Sequence, residues 1–306
     1  VAVYTNIPQQ ETLGVIEEIL INMDWTFSAP VDFVITLAEL ALTRNFFMYK
    51  DTYYLQKHGT SMGSTFAPSL ACLYVDWFER QHIWTHNIFS ENILHWYRYI
   101  DDILIIWKGE ENEIALFVTW LNSLNQFLRF TVSYSKISLP FLDVCICPDQ
   151  GGLTTKLHTK KSDKNSLLSF NSGHPRSLRE NLPVGQFLRI RRNCSQLSNF
   201  KQEALVLSEK LVSRDYPDYI IKKAYKRARN SPREALLEVH ERKQPSQLIC
   251  VTTYNNSSNF VKKIINKNWR ILTSNTIQLA KPMFSFKRSR NLRDSLVHTR
   301  PLTRKP

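Results

Sequence analysis

The sequence predicts an α+β fold: an antiparallel sheet with helices on one face, followed by a mostly helical and strongly basic region. Three observations carry this. In the first half, short aromatic and β-branched runs bounded by turn residues alternate with longer segments of helical period. That order gives mixed strands and helices packed in layers. In the second half helical spacing dominates. The charge is split in the same way: residues 1–150 hold 8 Lys/Arg against 17 Asp/Glu, a net of −9, and residues 151–306 hold 32 against 10, a net of +22.

Taken in order, residues 1–8 (Val-Ala-Val-Tyr-Thr-Asn-Ile-Pro) read as a short apolar strand ending at Tyr4, then a turn. Residues 11–23 space Leu13, Val15, Ile16, Ile19, Leu20 and Ile21 as a partly buried helix, and residues 31–42 as another. Residues 46–56 read as a hairpin turning at Lys50-Asp51. The loop Gly59-Thr60-Ser61-Met62-Gly63-Ser64 can approach a ligand closely through its glycines, a weak phosphate or nucleotide platform taken alone. Ser64 or Thr65 is placed to cap the helix that follows, which runs to about Trp84 with Phe66, Leu70, Leu73, Tyr74, Trp77 and Phe78 on its apolar face. After a hairpin over 96–107 come an amphipathic helix over 110–128 and a strand through Phe130, Val132 and Tyr134. A strand over 140–147 turns at Asp149-Gln150-Gly151-Gly152 into residues 153–158.

Residues 160–193 read as polar chain, with Arg189, Arg191 and Arg192 clustered near the end. Residues 196–213 and 218–229 space as helices. The second buries Ile221, Ala224, Tyr225 and Ala228 and shows Lys222, Lys223, Lys226, Arg227 and Arg229 to solvent. Ser231-Pro232-Arg233-Glu234 reads as the capping-box start of a third helix ending near Arg242. Three helices with a basic second one fit a helix-turn-helix, or equally a bundle with a solvated basic face. Residues 248–254 read as a strand, 258–272 as a basic helix, and the chain from Ala280 as an extended basic tail.

The chemistry centres on Asp101 and Asp102, between the apolar runs of the 96–107 hairpin. Asp is a poor strand residue and a good turn residue, so the pair belongs at the tip. Two carboxylates held beside apolar strands repel unless a cation sits there, and Mg²⁺ suits their hard oxygens best. A solvated Asp-Asp turn is the bland alternative. Asp143 is either a third acidic ligand or a solvent-facing strand residue. The +22 half implies a polyanionic partner, nucleic acid before others. Five scattered cysteines argue for reduced intracellular thiols rather than disulfides or zinc. No run approaches the ~20 apolar residues of a membrane span.

These motifs resemble, in order, those of the reverse transcriptases of Penelope-like retroelements. Tyr4-Thr5-Asn6-Ile7-Pro8 is similar to the end of that family's first palm motif. Gly59 to Ser64 with Ala67-Pro68 is similar to the second, and Tyr99-Ile100-Asp101-Asp102 to the metal-binding third. Phe141-Leu142-Asp143 resembles the primer-gripping hairpin. Gly185-Gln186-Phe187-Leu188-Arg189 with Arg191-Arg192-Asn193-Cys194-Ser195 resembles the signature beyond the palm, in a region likened to a helix-turn-helix.

The resemblance implies a right-hand polymerase palm over residues 1–158 with most of the fingers missing. A helical thumb or helix-turn-helix-like region over 159–245 and a basic connector over 246–306 would follow. It implies an RNA-directed DNA polymerase that adds deoxynucleotides to a DNA primer on an RNA template with Mg²⁺ or Mn²⁺, in the nucleus and off the membrane. Asp101 is then a metal ligand and Asp102 its partner; Tyr4 is a steric gate against the ribose 2′-hydroxyl. Gly63 and Ser64 close over the nucleotide, and Phe141 and Leu142 hold the primer. Arg189, Arg191, Arg192, Lys222, Lys223, Lys226 and Arg227 bind nucleic acid.

The chain departs from the pattern at several points. The family's first catalytic Asp falls five residues before Tyr4, ahead of Val1, and Asp24 and Asp32 are poor substitutes. That leaves a catalytically dead nucleic-acid-binding remnant as the alternative, with the chain expected to be a fragment. Met62 stands where many reverse transcriptases have Gln, and Lys160-Lys161-Ser162-Asp163 where a Pro-containing tetrad is expected. Asn291 to Val297 resembles the stretch before a GIY-YIG endonuclease domain.

Overall fold

The computed structural model describes residues 3–23, 29–61, 63–160, 162–239, 248–255, 257–273 and 282–287. The chain divides into two compact units, Val1–Leu142 and Asp143–Pro306.

The first unit opens with α1 (Val3–Asn6) rather than the expected strand. The Ile7 amide donates to the Val3 carbonyl at 3.1 Å, and one helical turn buries both Val3 and Ile7. Then come α2 (Gln9–Asn22), α3 (Val31–Thr43), β1 (Phe46–Tyr49) and β2 (Thr52–Leu55). Lys50 and Asp51 join the two strands with φ of 46° and 61°, the positive pair that a tight hairpin turn of matching twist requires. Helix α4 (Ala67–His82) starts at Pro68 in its first turn, with Phe66 at the cap position. Ser64 does not cap it: its Oγ accepts from the Phe66 amide at 3.3 Å and shapes the loop instead. Ile83 and Trp84 lie beyond its end, both amides returning to the Glu79 carbonyl.

Two layers of apolar side chains meet on α4. Leu70 packs with Leu13, Ile16 and Leu20 of α2 and Ala38 and Leu42 of α3. Ala71, Tyr74, Val75 and Phe78 pack into a larger core with Val3, Ile7, Trp96, Phe117, Leu121 and Leu128. Beyond α4 the hairpin β3 (Ile93–Tyr99) and β4 (Asp102–Trp107) pairs Tyr99 with Asp102, Arg98 with Ile103 and Trp96 with Ile105.

Helix α5 (Glu111–Ser123) has the capping box Glu110–Glu113 and ends earlier than its apolar spacing predicts. Asn125 stops it, its Oδ1 accepting from the Phe127 and Leu128 amides at 2.7 and 3.0 Å. Its Nδ2 donates to the Tyr74 hydroxyl at 2.9 Å; burial pushes that hydroxyl's pKa well up, and the Asn125 bond works against the shift. The expected strand through Phe130 does not form. The Asn122 carboxamide accepts from the Phe130 amide at 2.8 Å and donates to its carbonyl at 3.0 Å, using the groups a ladder needs. Strand β5 (Leu139–Phe141) closes the unit. The single palm sheet expected from the sequence is not seen among the described residues: β1–β2 and β3–β4 are separate ladders, each closed by its own two-residue turn.

The second unit opens with the hairpin β6 (Val144–Asp149) and β7 (Gly152–Leu157), turning at Gln150-Gly151 with Gly151 at φ 87°. The stretch expected to be polar chain holds α6 (Arg176–Asn193), which buries Pro183, Phe187 and Ile190. Helices α7 (Leu197–Val212) and α8 (Asp218–Asn230) complete one core through Phe200, Ala204, Leu207, Leu211, Ile220, Ile221, Ala224 and Ala228. Tyr225 is only half-buried, stacked on Phe200 with ring centroids 5.7 Å apart. Helix α9 (Arg233–Leu237) is short, and no capping box starts it: Pro232 holds the cap position and the Ser231 hydroxyl donates back to the Arg227 carbonyl. The expected end near Arg242 lies outside the described residues.

Strand β8 (Ile249–Thr253), α10 (Ser258–Thr273) and β9 (Met283–Lys287) follow, β8 and β9 pairing in parallel. Residues 283–287, expected as extended tail, are therefore a paired strand. The basic residues from Arg288 onward and the stretch 291–297 lie outside the described residues. Among the described residues no helix is long and apolar enough to cross a membrane.

Candidate functional site

The tip of the β3–β4 hairpin is Ile100-Asp101. Ile100 has φ 58°, a left-handed value that strains a β-branched residue. Strain of this kind, on the order of 1–3 kcal/mol, persists where surrounding structure holds it. Asp101 is half-buried in the turn and Asp102 is exposed at the start of β4. By the ladder register Asp102 shares a strand face with Tyr99, and Ile103 shares the opposite face with Arg98. Among the described residues neither Asp101 nor Asp102 enters an ion pair. No group of three or more His, Cys, Asp or Glu that could hold a metal gathers among them either.

What holds this tip is a group that sequence reading overlooks. Glu79 on α4 is 4% exposed, and its Oε1 accepts from Trp96 Nε1 and from Arg98 Nε, each at 2.7 Å. Burial alone would lower the Arg98 pKa; the hydrogen bond and charge of Glu79, with a smaller contribution from Cys72, outweigh it and raise it. Arg98 Nη1 also donates to the Ile100 carbonyl at 3.4 Å. The sequence signal was available: Ala71, Val75 and Glu79 recur every four residues on the buried face of α4, and a carboxylate on that stripe demands a partner.

Tyr4 is half-buried and packs on the same core as Trp96, Ile103 and Ile105. The Thr60 amide donates to the Tyr4 carbonyl at 2.6 Å and the Gly59 amide to the Ile7 carbonyl at 3.2 Å. Gln9 Nε2 donates to the Gly59 carbonyl at 3.0 Å. So the glycine-bearing loop is sewn to the segment carrying Tyr4, and that segment shares a core with the hairpin. Gly63, exposed at φ 101°, and half-buried Ser64 continue that loop; Met62 lies outside the described residues. Phe141 is half-buried and Leu142 exposed at φ 51°; neither belongs to the core cluster that joins Tyr4 and the hairpin.

In the second unit, Asp143 is tied to α6: Arg189 Nη2 and Nε reach its Oδ2 at 2.7 and 3.1 Å. The hairpin is bonded to the helices again where the Ser195 amide donates to the Thr155 carbonyl at 2.9 Å. Arg189 is thus engaged, while Arg191 has Nε and Nη1 buried without a hydrogen-bond partner among the described residues. Arg192 is exposed. On α8, Lys222, Lys223, Lys226 and Arg227 are exposed opposite the buried Ile220, Ile221, Ala224 and Ala228, and Lys222 pairs with Asp218 at 2.9 Å.

The family described as reverse transcriptase (RNA-dependent DNA polymerase) matches residues 3–164, more than half of the chain, and takes in Tyr4, the glycine loop and the Asp101-Asp102 hairpin. The chain belongs to the reverse transcriptase family. An animal helix-turn-helix domain matches residues 166–226, so a helix-turn-helix domain follows the reverse transcriptase domain. That match places the module on α6, α7 and most of α8, one helix earlier than residues 196–242 suggested. No curated protein matches the chain.

Gly59 has φ 69°, and a Cβ there would stand 2.5 Å from the Tyr4 carbonyl oxygen and 2.6 Å from Thr5 backbone atoms. Gly59→Ala is expected to destabilise the first unit by about 3 kcal/mol, since neither backbone can give way. Urea unfolding checks this, and a loss below about 1 kcal/mol would contradict the described seam.

Proposed function

We propose that this reverse transcriptase comes from a Penelope-like retroelement. Residues 1–158 would serve as its palm, 159–245 as a helical thumb region and 246–306 as a basic connector. The observation that carries the catalytic reading is the turn itself: two adjacent carboxylates, unpaired with any cation among the described residues, at the tip of a hairpin that shares one core with Tyr4.

Two carboxylates fit Mg²⁺, which takes one or two protein carboxylates and completes its shell with water and substrate phosphates. Asp101 and Asp102 would hold it, or Mn²⁺ in its place. Bound there, the metal supplies charge neutralisation on the nucleotide phosphates and lowers the pKa of the primer 3′-hydroxyl. The rest is positioning by this chain. Asp101 and Asp102 set where the phosphates sit. The Tyr4 ring crowds a ribose 2′-hydroxyl and so favours deoxynucleotides. Gly63 and Ser64 let backbone approach the incoming nucleotide and the template base, and Phe141 and Leu142 hold the primer. The exposed cations of α8, with Arg189, Arg191 and Arg192, bind the phosphate backbone of template and primer. The parent protein would work in the nucleus.

In the full-length protein, Asp101→Asn is expected to lower primer extension on an RNA template by about 10³-fold, since it removes charge where the transition state needs it. Wild-type-like extension by that variant would remove Asp101 from the site. Replacing Lys222, Lys223, Lys226 and Arg227 together by Ala is expected to flatten the log affinity against log salt slope by about 3 units. An unchanged slope in filter binding would take α8 out of the nucleic-acid interface.

A further inference from the structure

We propose that Glu79 is a positioning residue of the nucleotide-adding site, a claim that rests on the reading of Asp101 and Asp102 given above. Glu79 is the one acidic residue buried among the described residues. It touches neither catalytic carboxylate; it acts through the strand that delivers them. Trp96 and Arg98 lie two residues apart, hence on one face of β3, and both donate to the same Glu79 oxygen. Arg98 then reaches past the strand end to the carbonyl of Ile100, the strained residue of the turn. The chain of contacts runs from α4 to Glu79, to the guanidinium, to the peptide immediately before Asp101. A fixed acceptor inside the core therefore sets the pitch of the hairpin and holds Ile100 at its positive φ. The side chains of that guanidinium and carboxylate are 14% and 6% exposed, so water does not substitute readily for either partner.

A buried pair serves stability whether or not it positions anything, so the test must separate the two. Glu79→Gln and the apolar double variant Glu79→Leu with Arg98→Met, both in the full-length protein, do so. In Glu79→Gln, amide exchange at residues 99–103 is expected to quicken about tenfold or more, because the turn loses its charged anchor. Its kcat for nucleotide addition is expected to fall about 10²-fold with KM for the deoxynucleotide held within about twofold, the signature of misplaced catalytic groups. The double variant leaves no charge unpaired, so its thermal stability returns toward wild type. Its exchange at 99–103 stays fast and its kcat stays low. Wild-type protection at 99–103 in either variant overturns the proposal, as does recovery of kcat together with stability in the double variant. Exchange is read with no nucleotide present. A wild-type protein that added no nucleotide would therefore count against the metal-site reading, and the exchange result would still decide the role of Glu79.

Discussion

The first unit depends on one carboxylate placed where carboxylates are not normally tolerated. Burying Glu79 without partners would be severely unfavourable, and the two donors from β3 are what make it tolerable. The consequence runs in both directions. Helix α4 can carry a charge on its inner face only while the hairpin is docked, and the hairpin can dock in only one register, because a one-residue slip would turn Trp96 and Arg98 outward. The apolar contacts around it are interchangeable by comparison. Hydrophobic burial supplies the stability of this core, and the observed register is the one that brings Trp96 and Arg98 onto the buried Glu79 carboxylate.

Around that point the unit is built by local closures. Two-residue turns close the hairpins, an Asn carboxamide ends α5, and a second Asn occupies the backbone of Phe130. Helix α4 faces the α2–α3 layer with Leu70 and the hairpin core with Ala71, Tyr74, Val75 and Phe78. The second unit reaches its core by another route: α6, α7 and α8 interlock through Phe187, Phe200 and small residues such as Ala204, Ala224 and Ala228, which leaves the cations of α8 outside. The charge split along the chain thus separates an acidic unit carrying the paired aspartates from a basic unit carrying exposed lysines and arginines. That division suits a polymerase, whose chemistry needs cations and whose substrates are polyanions.

Much of this was legible because it is local. The β1–β2 and β3–β4 hairpins follow from turn residues between apolar runs, and α2, α3, α7 and α8 from spacing alone. What escaped is what distant groups decide. The chain up to Tyr4 looks like a strand by composition, yet one helical turn over Val3–Asn6 lets the Tyr4 and Ile7 carbonyls receive the Thr60 and Gly59 amides. Phe130, Val132 and Tyr134 alternate as a strand should, and a side chain eight residues away uses the ladder groups first. Helix α6 hides behind its internal Pro183, whose ring sits in the core. The paired aspartates were legible as a turn, and so as a candidate site. Their anchor was legible only in part: Glu79 falls on the buried stripe of α4 with Ala71 and Val75, but that Arg98 and Trp96 are its partners is settled by the packing of β3 on that helix.

The central claim is that Asp101 and Asp102 gather divalent metal at the tip of an anchored hairpin. Iron-directed backbone cleavage tests it most directly: Fe²⁺ replaces Mg²⁺ in the full-length protein, and the cut positions are mapped with and without Asp101→Asn. The account predicts cleavage concentrated at residues 99–103 and lost in the variant. Cleavage that falls elsewhere, or that persists at 99–103 in the variant, contradicts it.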